Sequence, residues 1–68
     1  MRYSVMIYYD AMDDIYVASV PELEGCIAHG TTQEEAIKEI QLACEMWLDA
    51  ARENGTAIPE PSLQKIAI

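Results

Sequence analysis

The sequence predicts an α+β domain in which one long helix packs on one face of a small antiparallel sheet of three to four strands, in the order β-β-β-α-β. Two runs rich in β-branched and aromatic residues, joined by a short acidic connection, indicate a hairpin. A third short run precedes a stretch of about twenty residues with helical periodicity, which opens with a capping signal. A chain of 68 residues is long enough for one domain, residues 1–68.

The first two strands follow from local composition. Residues 2–9 predict a strand with apolar side chains on both faces, which favours a central position or cover on both sides. Residues 10–14 carry three aspartates and predict a turn. Residues 15–20 predict a second strand, and the short connection makes the pair an antiparallel hairpin.

The third strand is short and lies between two chain reversals. Pro21 ends the second strand because proline has no N–H for the ladder. Gly25 can adopt the positive φ that the following loop needs. Residues 26–29 then predict a strand, which Gly30 closes.

The helix has the clearest local signal in the chain. Thr31 and Thr32 each precede a glutamate by three residues, Glu34 and Glu35, so a capping box is satisfied in either register. Helical spacing continues from about residue 33 to residue 53. The predicted apolar stripe comprises Ala36, Ile37, Ile40, Ala43, Cys44, Trp47, Leu48 and Ala51. The predicted solvent side comprises Glu34, Lys38, Glu39, Glu45, Asp49 and Glu53.

The segment after the helix starts with a stop signal. Asn54 and Gly55 predict the helix C-terminus, with Gly55 in the left-handed conformation. Residues 56–62 contain two prolines and predict an extended linker. Residues 63–68 predict a fourth, edge strand, with a frayed terminus as the alternative.

Charge excludes some partners and favours others. Twelve Asp and Glu against four Lys and Arg give a net charge of −8. This charge repels nucleic acid and anionic membrane surfaces, and it speeds the capture of a basic protein. The alternative is that the negative charge simply keeps a small apolar-rich domain in solution.

Composition also predicts self-association and a location. Apolar residues make up 51% of the chain, and a monomer of this size is marginally stable, so we expect a homo-dimer or a higher homo-oligomer. The sequence shows neither a secretory signal nor an apolar run long enough to span a membrane, which favours the cytoplasm. We therefore expect Cys26 and Cys44 to be reduced and buried.

The residues that could support catalysis do not form a recognisable pattern. His29 is the only histidine, and the three-residue spacing from Cys26 places the two side chains on opposite faces of a strand. Asp10, Asp13 and Asp14 could hold Mg²⁺ weakly, but their spacing does not fit an EF-hand, and a solvated turn is the alternative interpretation. We predict neither an enzyme nor a bound cofactor or metal.

Aromatic residues of the hairpin give the best indication of a binding surface. Tyr3, Tyr8, Tyr9 and Tyr16 all belong to the two predicted hairpin strands. If the helix covers one face, tyrosines on the other face are exposed, and tyrosine is enriched at protein interfaces. Cross-strand aromatic pairing is the alternative. Trp47 lies on the apolar stripe of the helix and is expected to pack in the core.

An ordered set of short motifs resembles the HicB antitoxin family. The run YVASVPELEGCIAHGTTQEEAIKEI is followed by a long helix and then by GTAIPEP. The family pattern has a Tyr-Val strand, a P-x-L-x-G-C loop, a Gly-Thr step into a helix opening with E-E-A, and later a Gly and an I-P-x-P segment. The residues that match it are Tyr16, Val17, Pro21, Leu23, Gly25, Cys26, Gly30, Thr32, Glu34, Glu35, Ala36, Gly55, Ile58, Pro59 and Pro61.

Two features depart from this family. The loop commonly has a proline where this chain has Glu24, which could loosen the loop without changing the fold. Many members also carry a C-terminal DNA-binding segment, either ribbon-helix-helix or helix-turn-helix. The 68 residues contain no such segment, so direct binding to nucleic acid is not expected.

The resemblance implies a partial ribonuclease-H-like fold, homo-oligomerisation and a small basic toxin partner of the HicA type, which cleaves mRNA. It implies an antitoxin that covers the active surface of that toxin. Two alternatives are a stand-alone HicB-like oligomer with a structural or regulatory role and, more weakly, a metal-dependent hydrolase that uses the acidic turn. For the toxin contact, the predicted residues are Tyr8, Tyr9, Asp10, Asp13, Asp14, Pro21, Glu22, Leu23 and Glu24.

Overall fold

Three strands and one helix follow each other along the part of the chain, residues 2–59, that the computed structural model describes. The strands are β1 (Met6–Asp10), β2 (Ile15–Ser19) and β3 (Ile27–Gly30), and the helix is α1 (Gln33–Asn54). The strands form one antiparallel sheet in the order β1-β2-β3. This confirms the predicted α+β class, whereas the predicted fourth strand at 63–68 lies outside the described residues.

The hairpin of β1 and β2 differs from its prediction in one respect. Met6 pairs with Ser19 and Asp10 pairs with Ile15. β1 therefore begins at residue 6 instead of residue 2, and it ends at Asp10, one residue later than predicted. Among the described strands β2 is central and β1 is at an edge. The prediction that the first strand is central or covered on both faces is wrong for this part of the chain, because α1 covers one face of the sheet only.

The core lies between α1 and one face of the sheet. Its buried members are Ala18, Val20, Leu23, Cys26, Ala36, Ile40 and Cys44, with Ile7, Tyr16, Trp47 and Leu48 among the partly buried residues packed around them. The helix approaches β3 closely at Gly30, where an added Cβ would lie 2.6 Å from the backbone nitrogen of Ala36. Gly30 therefore sets how near the helix can lie to the sheet.

The ends of α1 are capped as the sequence predicts. Thr32 is the N-cap, and its hydroxyl accepts a hydrogen bond from the Glu35 N–H at 3.1 Å. The Glu35 carboxylate in turn accepts the Thr31 N–H at 2.8 Å, so the second of the two registers is used. At the other end, Gly55 has φ +69°, and the Thr56 N–H bonds to the Ala51 carbonyl at 2.8 Å, which is a Schellman arrangement.

The apolar stripe of α1 is narrower than predicted. Ala36, Ile40, Cys44 and Ala51 are buried, whereas Ile37 is 39% exposed. Ile37 is at the margin of the stripe because it is rotated about 100° from Ala36 around the helix axis. All six residues predicted for the solvent side are exposed.

Candidate protein-binding surfaces

The three aspartates of the hairpin connection, Asp10, Asp13 and Asp14, form what we call the acidic turn. The Asp10 carboxylate accepts the backbone N–H groups of Met12 at 3.0 Å and Asp13 at 3.4 Å. Asp14 adopts φ +53°, a conformation that aspartate and asparagine tolerate better than most residues. Asp13 and Asp14 are exposed, and Met12 projects from the tip. The turn is thus held by its own carboxylates and presents negative charge to the solvent.

Tyr9 belongs to this turn as well as to the sheet. Its hydroxyl donates a hydrogen bond to Asp14 Oδ1 at 2.6 Å, and its ring centroid lies 5.4 Å from that of Tyr16 on the neighbouring strand. The hydrogen bond to Asp14 raises the pKa of Tyr9, because ionisation of the phenol would leave two negative groups in contact. Both interpretations of the hairpin tyrosines therefore apply, since Tyr9 pairs with Tyr16 across the strands and Tyr8 stays exposed on the other face.

The face of the sheet turned away from α1 carries a second candidate surface, which we call the open sheet face. Alternation along the paired strands places eight residues on it: Met6, Tyr8, Asp10, Ile15, Val17, Ser19, Ile27 and His29. Ile27 is 64% exposed, Met6 54% and Tyr8 52%. A shallow depression on it is lined by Ile15, Val17, Ile27 and His29, with Ala28. Among the residues of the three strands, Asp10 is the one carboxylate on this face, and none of the strand residues is a lysine or arginine.

Hydrogen bonds connect the loop that joins β2 to β3, residues 20–26, internally and to α1. Backbone hydrogen bonds of 3.0–3.1 Å link Val20, Leu23 and Cys26 to one another. The indole N–H of Trp47 donates to the Glu24 carbonyl at 2.9 Å, which ties the loop to α1. With Glu24 in place of the proline, the loop keeps these hydrogen bonds.

The placement of this loop divides the predicted toxin contact. Leu23 is 1% exposed and belongs to the core, so its side chain is not part of the surface. The Glu22 carboxylate accepts the Ser4 N–H at 3.1 and 3.3 Å, while Pro21 and Glu24 are exposed. Because β2 separates this loop from the acidic turn, the two parts lie roughly 17 Å apart, one strand length. The nine predicted residues thus form two separate regions.

A third surface, the outer helix face, combines residues predicted for the solvent side of α1 with an apolar pair that was not singled out from the sequence. It comprises Lys38, Glu39, Leu42, Glu45, Met46, Asp49 and Glu53, all exposed and on the side of α1 away from the sheet. The helix carries six acidic and two basic residues. One of the basic residues, Arg52, forms a salt bridge with Asp49, with 2.7 Å between Nη1 and Oδ1. The sequence signal that could have identified this surface is the four-residue spacing of Leu42 and Met46. Residues at this spacing are neighbours on a helix, so the two apolar side chains lie side by side among the acidic ones.

The potentially reactive side chains are separated from one another. Cys26 and Cys44 are free and lie in the core, where burial raises the pKa of both thiols. His29 is exposed on the open sheet face, so the prediction that Cys26 and His29 lie on opposite faces is confirmed. Within residues 2–59, no group of three or more His, Cys, Asp or Glu is placed to hold a metal ion. No helix in the same range is long and apolar enough to cross a membrane.

Comparisons with known proteins agree with the resemblance noted in the sequence. Over residues 3–67 the chain matches the model of a family described as the HicB-like antitoxin of bacterial toxin–antitoxin systems. It is 35% identical to the UPF0150 protein ssl0259 of Synechocystis, covering 97% of this chain and 92% of that protein. It is 32% identical to the UPF0150 protein Ta0767 of Thermoplasma acidophilum, covering 100% of this chain and 97% of that protein. No solved structure matches significantly, so the ribonuclease-H-like description stays a prediction. The chain belongs to the family of HicB-like antitoxins.

Proposed function

We propose that this protein neutralises a small, basic, HicA-like mRNA-cleaving toxin in the cytoplasm by covering the active surface of that toxin. The observation that carries the proposal is the family match, which extends over residues 3–67. The net charge of −8 supports it, because an acidic surface attracts a basic partner and accelerates the encounter. The protein acts by binding and needs no reactive centre of its own.

The toxin contact is centred on the acidic turn and Tyr9. This region combines exposed carboxylates with an aromatic ring, and its own hydrogen bonds hold it in shape before binding. A preorganised surface loses little conformational entropy on association. Pro21, Glu22 and Glu24, at the other end of β2, form the outer part of the proposed contact, since an interface of about 800 Å² per partner can span that distance. Leu23, which is buried, and Tyr8, on the open sheet face, are not included.

Where the neighbouring gene encodes a small basic protein, titration calorimetry with that protein tests the proposal. Replacing Asp13 and Asp14 with asparagine removes two charges, and asparagine tolerates the positive φ of the second position as aspartate does. Two exposed charges of about 0.7 kcal/mol each predict about tenfold weaker binding, with most of the loss in the association rate because electrostatic steering is reduced. The matched control is Glu45→Gln with Glu53→Gln on the outer helix face, which removes the same charge and should change the affinity less than threefold.

Two outcomes would count against different parts of the proposal. If a basic toxin-like neighbour fails to bind the unmodified chain, the antitoxin function is refuted. If both double variants bind equally well, toxin binding stands but its location at the acidic turn is refuted.

A further inference from the structure

Met12, at the tip of the acidic turn, is the most exposed large apolar side chain among the described residues, with 95% of its surface accessible. It makes almost no contact with the rest of the fold, so packing gives no reason for a methionine at this position. Turn chemistry gives none either, because turns favour Gly, Pro, Asn, Asp and Ser, and the neighbouring aspartates already supply that chemistry. A single exposed apolar residue is ordinary on a protein surface. What distinguishes Met12 is the support beneath it.

The backbone of Met12 is held in place before any partner binds. The Met12 N–H donates a hydrogen bond to the Asp10 carboxylate at 3.0 Å. On the other side of the tip, the Tyr9 hydroxyl donates to Asp14 Oδ1 at 2.6 Å. Tyr9 and Asp10 are the last two residues of β1, and both pair with β2. The tip is therefore a preorganised projection, and on binding only the side-chain torsions of Met12 need to lose freedom.

The surroundings of Met12 define the chemistry of the surface that fits it. Asp13 and Asp14 follow it directly, and both are exposed. A methionine side chain is flexible and polarisable, so it fills irregular apolar pockets and packs well against aromatic rings. Methionine is also enriched at protein interfaces, where the contacts that dominate the binding energy are desolvated anchors surrounded by a ring that excludes water. The complementary surface is an apolar pocket on a basic protein, with lysine or arginine side chains at its edge.

We propose that Met12 is the anchor of the toxin contact, and that its side chain fills an apolar pocket on the toxin while Asp13 and Asp14 pair with basic groups around that pocket. This inference rests on the proposed function and divides the work between the two kinds of residue. The carboxylates act over a distance and speed the encounter. Met12 acts only once the surfaces touch, so it slows dissociation.

Surface plasmon resonance of the full chain with a small basic HicA-like toxin separates the two roles. Met12→Gln keeps the length of the side chain but not its apolar character, and the affinity should fall about 10- to 100-fold, almost entirely through faster dissociation. Met12→Leu stays apolar at similar volume and should bind within about fivefold of the unmodified chain. The matched control is Met46→Gln, the same change at a methionine that is 71% exposed on the outer helix face, and it should leave both rates unchanged. Since both positions are exposed, all three variants should keep the Tm within about 4 °C.

Oxidation by hydrogen peroxide gives a second readout that needs no substitution. One oxygen atom passes from the peroxide to the methionine sulfur, which becomes a sulfoxide, and water is released. In the free chain Met12 and Met46 should both be oxidised, because both are exposed. In the complex with the toxin, oxidation of Met12 should slow by about tenfold or more while oxidation of Met46 keeps its rate, as followed by peptide mass spectrometry.

The anchor and the antitoxin function can fail separately. A toxin that binds Met12→Gln as tightly as the unmodified chain overturns the anchor alone, and so does a complex in which Met12 is oxidised as fast as in the free chain. The anchor is also overturned if Met12→Leu binds as weakly as Met12→Gln, because the contact would then not depend on apolar character. A toxin that does not bind the unmodified chain refutes both proposals.

Discussion

Replacement of Gly30 by alanine tests the packing of the helix against the sheet. The new Cβ would lie 2.6 Å from the Ala36 nitrogen, 2.8 Å from the Glu35 Cβ and 2.9 Å from the Glu35 carbonyl carbon. Two of these three atoms are backbone, so the clash cannot be relieved by a rotamer change. The first turn of α1 must move away from β3, at a cost near the upper end of the about 1–3 kcal/mol typical of overpacking.

One effect offsets part of this cost. Alanine reduces the entropy of the unfolded chain and thereby stabilises the protein by about 0.4–1 kcal/mol. The net expectation is a loss of about 2 kcal/mol in the free energy of unfolding, or about 8–16 °C in Tm for a domain of this size. Urea denaturation followed by circular dichroism measures the first quantity, and a thermal melt measures the second.

The other two glycines provide matched controls. Gly25 has φ +79° and Gly55 has φ +69°, and an added Cβ has open space at both. Alanine at these positions must adopt the left-handed backbone conformation, which lowers the free energy of unfolding by about 1–2 kcal/mol. The reduced entropy of the unfolded chain offsets part of this loss, as it does at Gly30. Each control should therefore lose about 0–1.6 kcal/mol, which is less than the loss expected for Gly30→Ala. If Gly30→Ala is as stable as the unmodified chain, or more stable than both controls, the close approach of α1 to β3 is refuted.

Three further predictions concern the cap, the loop tether and the buried thiols. Thr32→Ala should lower the free energy of unfolding by about 1 kcal/mol in urea denaturation, and Thr31→Ala should lower it less, because Thr32 alone is the N-cap. Equal losses would contradict this assignment. Trp47→Phe should cost about 1–2 kcal/mol, since the hydrogen bond to the loop carbonyl is lost; unchanged stability would show that the loop is held without it. The pKa values of Cys26 and Cys44 are raised above 9.0 in the folded state, so the unfolded chain loses these protons first and the free energy of unfolding should fall as pH rises through about 9. The double Cys→Ala variant should show a shallower fall as pH rises through about 9, and an identical slope would refute the burial of the thiols.

The elements of the fold could be predicted where a local signal determines them. The Thr32–Glu35 capping box and Gly55 fix the two ends of α1 because caps depend on residues within one turn. The three aspartates of the hairpin connection predict a turn for the same reason. The exposure of β1 could not be predicted, because apolar residues on both faces of a strand do not show which face a helix will cover.

The candidate surface was predicted only in part. The acidic turn and Tyr9 lie together as expected, since they are neighbours in sequence. Leu23 was placed on the surface because it follows Pro21 in a loop, but the hydrogen bonds of residues 20–26 turn its side chain into the core. The exposure of Ile27 depends on the register of β3 and on which face α1 occupies, and neither is encoded locally.

The most direct test of the central claim is an RNA-cleavage assay with a small basic HicA-like toxin and increasing amounts of this protein. If this protein covers the active surface of the toxin, RNA cleavage should fall in proportion to the amount of this protein added and should stop near one chain per toxin. The double variant Asp13→Asn/Asp14→Asn should be needed in larger amounts for the same inhibition. Cleavage that continues unchanged in a large molar excess of the folded chain would contradict the account.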